Sequence, residues 1–108
     1  HHNPKDKMAT LKVSLIEIID DGFPAFGVFT FTDLSGSTIS IHEKLPVLGV
    51  EDAGLTLPTD VKLECSVVSV SETNMLIDIS EPHGIEDTQG QTRCRVSASS
   101  LVYGAGWT

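Results

Sequence analysis

Residues 10–20 read "TLKVSLIEIID". Leu11, Val13 and Leu15 alternate onto one face, and then the apolar set changes frame to Ile16 and Ile18. Strict alternation of β-branched and aliphatic residues is the mark of a half-buried strand, and a helical stripe would recur every three to four positions instead. A change of frame inside such a run predicts a β-bulge near Leu15–Ile16, the device that bends a strand around a barrel. A strand buried on both faces at that point is the alternative.

The same texture continues along the chain. "DDGFP" reads as a turn, because Gly22 tolerates positive φ and Pro24 cannot continue a central ladder. "GVFTFTD" follows with Phe29 and Phe31 on one face, then the turn "LSGS", then "TISIHEK" with Ile39 and Ile41 inward. Three strands joined by short turns make a meander. "LPVLGVEDAGLTLPTD" breaks the pattern with two prolines and two glycines, predicting an irregular connection with one helical turn near "EDAG". Beyond it come "VKLECSVVSVS", "MLIDIS" with Met75, Ile77 and Ile79 inward, "TRCRVSA" and "SSLVY". The expected fold is a single all-β antiparallel domain of five to six strands. An SH3-like or OB-like barrel is its expected form and a two-sheet sandwich the alternative.

The chain opens "HHNPKDKMAT", which reads as the remnant of a purification tag over residues 1–7, with the domain expected over 8–103. Residues 104–108, containing Trp107, read as a flexible Gly-rich tail. Setting aside Lys5, Asp6 and Lys7 leaves five basic and fourteen acidic residues, a formal charge of −9. Such a chain repels phosphate backbones, so neither nucleic acid nor an anionic membrane is an expected partner. A basic protein partner would be drawn in. No apolar run approaches the ~18–20 residues of a membrane span, and no apolar signal segment follows Met8, so a cytoplasmic location is expected. Cys65 shares a face with Val61, Leu63 and Val67, and Cys94 with Val96 and Ala98. Both read as small buried hydrophobes, with a disulfide the lesser alternative, and there is no CxxC pair to suggest zinc.

Two stretches carry candidate chemistry. "IHEKLPVLGVED" begins like a zinc-protease motif, but the position four beyond His42 is Pro46, so no second imidazole can join it on a helical face. On a strand, His42 lies opposite Ile39 and Ile41 and faces solvent. "EPHGIEDTQG", residues 81–90, offers Glu81, His83, Glu86 and Asp87. A catalytic reading would pair one of its carboxylates with His83, and a metal reading would use His83 with two carboxylates. One histidine and no nearby cysteine supply neither set, and the spacing matches no calcium loop. The plain reading is a turn: Pro82 ends a strand, Gly84 and Gly90 permit bends, and "TQGQ" is a hairpin tip. No catalytic residue, metal or cofactor is therefore assigned. Arg93 and Arg95 fall on the outer face of their strand, placed to meet carboxylates across the sheet or to bind an anion.

Taken together, "IIDDGFPAFGVFTFTD", "HEKLPVLGVED", "LPTDVKLECSV" and "ISEPHGIEDTQGQTRCRVSASSLV" resemble a group of short uncharacterised bacterial β-proteins. The resemblance covers most of residues 11–102. It implies a compact β-domain and carries over no functional residues. The expected function is a non-catalytic binding or interaction module acting through loops 45–60 and 81–91, with His42, Glu81, His83, Glu86 and Asp87 as candidate contacts. Its partner would be another protein or a second copy paired along a strand edge, with any small-molecule ligand left open. Two alternatives compete with it. One is a small enzyme or ligand-binding barrel in which His42 and His83 converge with nearby carboxylates. The other is an acidic inhibitor of a basic protein.

Overall fold

A computed structural model describes residues 8–20, 25–51 and 55–103, with Asp20 and Tyr103 described by their backbone alone. The expected tag remnant, all but the first residue of the turn "DDGFP" and of the helical turn near "EDAG", and the tail with Trp107 lie outside the described residues.

Among the described residues seven strands form: β1 (Met8–Asp20), β2 (Phe26–Thr32), β3 (Thr38–Lys44), β4 (Thr59–Val70), β5 (Asn74–Asp78), β6 (Arg93–Ser97) and β7 (Leu101–Tyr103). Short 3-10 helices cover Leu45–Leu48 and Ala98–Ser100. All seven strands belong to one antiparallel sheet ordered β3-β2-β1-β4-β5-β6, with β7 paired to β1. One curled sheet, rather than two packed sheets, therefore builds this all-β domain.

β1 is the hub. Along one edge residues 8–15 pair with β4, from Met8 opposite Ser66 to Leu15 opposite Thr59. Its other edge is shared: Ala9 to Leu11 face β7, and Ser14 to Asp20 face β2. The expected bulge is there. Leu15 lies opposite Phe29 and Glu17 opposite Val28, so Ile16 has no partner across the ladder. A second shift falls between Ile18 and Asp20. Only part of the apolar reading holds at this point. Ile16 is left 45% exposed, while Ile18 returns to the core side and packs there. The extra residue absorbs the frame change, so the two isoleucines part company.

The bend is packed closely. A Cβ added at Gly27, opposite Ile18, would stand 2.6 Å from Leu15 Cδ1 and 2.8 Å from Leu45 Cδ2. Both leucines are fully buried, so neither side chain has room to yield. Glycine is what lets β1 and β2 approach over the 3-10 plug Leu45–Leu48.

The core follows the alternation. Leu11, Val13, Leu15, Phe29, Ile41, Leu63, Cys65, Val67, Ile77 and Val96 are all buried in a single cluster. Both cysteines are free, Cys65 buried and Cys94 half-buried. Leu45 and Leu48 are also buried, so the first part of the irregular segment 45–60 plugs one end of the curled sheet. Gly49 closes that 3-10 turn at φ 72° and donates its N–H back to the Pro46 carbonyl.

Candidate functional site

The stretch 81–90 resolves into three pieces. The first is a tight turn in which the Gly84 N–H donates to the Ser80 carbonyl, with Gly84 at φ 72°. The second is an anchor: Ile85 is 0% exposed and belongs to the core cluster. The loop is therefore not the wholly polar segment that its composition suggests. The third is a polar loop built around one carboxylate. Asp87 Oδ1 accepts hydrogen bonds from the backbone N–H of Gln89 at 2.8 Å and of Gln91 at 2.9 Å. The Asp87 N–H donates to the Gln91 carbonyl at 2.9 Å, and Gly90, at φ 77°, donates to the Asp87 carbonyl at 3.0 Å. A short acid that bonds its own backbone two and four residues on replaces the ladder at a strand end.

The same loop occurs a second time, between β2 and β3. Asp33 Oδ1 accepts from the N–H of Ser35 at 3.0 Å and of Ser37 at 2.9 Å, and from the Ser35 hydroxyl at 2.7 Å. The Asp33 N–H donates to the Ser37 carbonyl at 2.9 Å, and Gly36, at φ 91°, donates to the Asp33 carbonyl at 3.1 Å. "DLSGS" at 33–37 and "DTQGQ" at 87–91 thus share one design: aspartate first, glycine fourth, polar residues third and fifth. The Ser35 hydroxyl, followed by the backbone amides of Ser37, Ser35 and Gly36, holds the Asp33 carboxyl below its usual range.

These two loops meet across the seam of the curled sheet, where β3 and β6 are the end strands. The residue after the aspartate makes the link in each case. The Leu34 N–H donates to the Arg95 carbonyl on β6 at 2.8 Å, and the Thr88 N–H donates to the Ser40 carbonyl on β3 at 2.9 Å. The closure is reciprocal. Each loop belongs to one side of the seam and bonds the other.

Along the seam runs an open groove of about 540 Å³. Asp33 and Asp87 flank it, Leu34, Ile39 and Cys94 give it an apolar lining, and Arg93 and Arg95 line it from β6. Leu34 is 46% exposed there, one of the few large aliphatic side chains left in solvent among the described residues. Arg93 stands opposite Asp78 in the ladder, and its Nε donates to Asp78 Oδ2 at 3.2 Å. Burial pushes the Asp78 carboxyl up, but two hydrogen bonds from Ser80 and the Arg93 guanidinium outweigh it and hold it below the ordinary range. Arg95 Nη1 donates to the neutral Asn74 Oδ1 at 3.0 Å. Desolvation, with Asp33 and then Asp87 nearby, pushes the Cys94 thiol up to about 11, so the lining is uncharged at that point.

The candidate contacts do not converge as a group. Asp87 flanks the groove, and Glu81 and Glu86 are exposed. His83 turns to a different place: its Nε2 lies 2.9 Å from Glu64 Oε1 on β4, beside a hollow formed with Val47 and Gly49. His42 is exposed on β3 opposite Val28, and that hollow does not include it. Among the described residues no three His, Cys, Asp or Glu side chains come together as metal ligands. No described helix is long and apolar enough to cross a membrane.

Sequence reading missed Asp33, Leu34 and Ser35 as site residues. It placed Arg93 and Arg95 on an outer strand face that could pair carboxylates or bind an anion, and the Arg93–Asp78 pair across the ladder is there. The signal present was the shared D-x-[S/Q]-G-[S/Q] spelling of the two turns. Comparison with protein-family models, with curated proteins and with solved structures finds no match to this chain.

Proposed function

We propose that this chain is a non-catalytic binding module whose recognition surface is the seam groove between loops 33–37 and 87–91. One observation carries the reading: two loops fifty residues apart in sequence, each pinned by its own aspartate, each bond the end strand across the seam, and both arginines of the chain line the groove between them. A groove held on both sides by hydrogen-bonded turns is formed before a ligand arrives, so little conformational entropy is lost on binding. Its size falls in the range of ordinary small-molecule sites, roughly 300–1,000 Å³. Each of the groove's two aspartates is held in place by backbone N–H groups on its Oδ1, which fits a fixed recognition surface.

A fragment screen read by amide shifts on the 15N-labelled chain tests this. Shifts are expected to cluster on Leu34, Ser35, Gln91, Arg93 and Arg95. Clustering at Glu64 and His83 would instead favour the ligand-binding or catalytic reading of that histidine. A scatter of shifts with no cluster would remove the binding-module reading.

A further inference from the structure

We infer that the seam groove takes a small molecule bearing a carboxylate on an apolar body, with the carboxylate held by Arg93 and Arg95. The inference rests on the groove being the recognition surface and adds what it recognises.

Arg93 and Arg95 occupy alternate positions of β6, so their side chains leave the strand on the same face from backbone positions about 7 Å apart. Neither is used up by its neighbours. Arg93 spends only Nε on Asp78, leaving its two terminal amino groups. Arg95 has a single hydrogen bond, to a neutral amide, and no carboxylate within ion-pair distance among the described residues. In a chain with so large an excess of acids, an arginine lining a groove without an acid on it is conspicuous. A guanidinium is a planar fork of donors whose spacing fits a carboxylate or a phosphate oxygen pair.

The acids decide between those two anions. Asp33 and Asp87 flank the groove, and the Ser35 and backbone hydrogen bonds that hold Asp33 low keep it ionised at neutral pH. With the formal charge of −9 over residues 8–108 behind them, they oppose a dianion about twice as strongly as a monoanion. A carboxylate carries one charge and a phosphate monoester close to two. Each aspartate also keeps its Oδ2 without a partner among the described residues, free to accept from an N–H or O–H elsewhere on the ligand. The apolar body has its own seat. Exposed Leu34, half-buried Ile39 and half-buried Cys94 line the same groove as the arginines, Cys94 from the core face of β6.

Four single-ring probes separate the contributions: benzoate, its neutral isostere benzamide, phenyl phosphate and benzamidine. Each is titrated into the 15N-labelled chain at low salt, following the Arg93 and Arg95 Nε–H signals and the Leu34 amide. Benzoate is expected to give saturable shifts at all three. Benzamide and benzamidine are expected to be at least tenfold weaker, with phenyl phosphate weaker than benzoate. Arg95→Gln is expected to weaken benzoate by about tenfold or more, and Arg95→Lys, which keeps the charge but loses the fork, by an intermediate factor. An unchanged amide spectrum outside the groove confirms that these variants fold. The inference is overturned if benzamide matches benzoate, if phenyl phosphate binds more tightly, or if Arg95→Gln leaves benzoate unaffected. Fragments landing in the groove without regard to charge would leave the recognition surface standing and remove the carboxylate alone. Failure of every probe and every fragment there would remove both.

Discussion

At the scale of single residues, the chemistry of this chain is set by what each ionisable group touches. The two cysteines show it most plainly. Desolvation, with lesser contributions from Cys94 and Asp78, pushes the Cys65 thiol up to about 12, and Cys94 stands at about 11. At pH 8 the folded state holds both side chains as thiols, and the thiolate is the nucleophilic form. Neither cysteine is therefore expected to react with a disulfide reagent at pH 8 until the chain is unfolded in denaturant. Rapid labelling of one thiol in the native state would contradict the burial described for them. Asp78 gives a prediction of the opposite sign. Its folded-state carboxyl is held below the ordinary value of 3.8 by Ser80 and Arg93, against the push of burial. A depressed carboxyl contributes stability that is present above the unfolded value and is lost as pH falls through the folded one. Urea midpoints measured from pH 6 downward should thus fall below about pH 4, and the fall should be shallower in Asp78→Asn. An identical pH profile in the variant would remove Asp78 from the acid response.

At the scale of elements, the loop 81–91 is where composition and structure part most clearly. Its acids and glycines are legible in the sequence as a turn, and they do turn. Ile85 is not legible, because a lone apolar residue between polar neighbours has no periodicity to announce burial. Its place in the core predicts that Ile85→Ala costs about 2–5 kcal/mol of stability, as other large-to-small core changes do. Glu86→Ala, one residue on and exposed, should stay within about 0.5 kcal/mol. Equal effects in denaturant titrations would mean that the loop is not anchored as described. The strands were legible for the converse reason. Every run with period two and β-branched or aromatic residues forms one, from β1 with its bulge to the short β7. What alternation cannot reveal is partnership. Nothing in "SSLVY" says that Leu101 will sit opposite Leu11, because pairing between distant strands is decided by the whole sheet.

At the scale of the whole molecule, the sheet curls because β1 is long, bulged and shared among three partners, and its two end strands are drawn together by loops rather than by a ladder. The repeat that does this spans only five residues, too short to stand out as a repeat. It is readable only once an aspartate three positions before a glycine is taken as a backbone acceptor. The groove, and with it the placing of Arg93 and Arg95 beside Asp33 and Asp87, exists because both loops hold. Native-state hydrogen exchange tests that dependence most directly. The Leu34 amide is bonded to Arg95 across the seam, in the loop that does not contain Asp87. In Asp87→Ala, exchange of Thr88, Gln89 and Gln91 should accelerate, and the Leu34 amide should accelerate with them by about tenfold. That factor is what the loss of one typical hydrogen bond from a shared closure would give. If Leu34 keeps its wild-type protection while the 87–91 loop exchanges freely, the two loops open independently and the groove is not a single built surface.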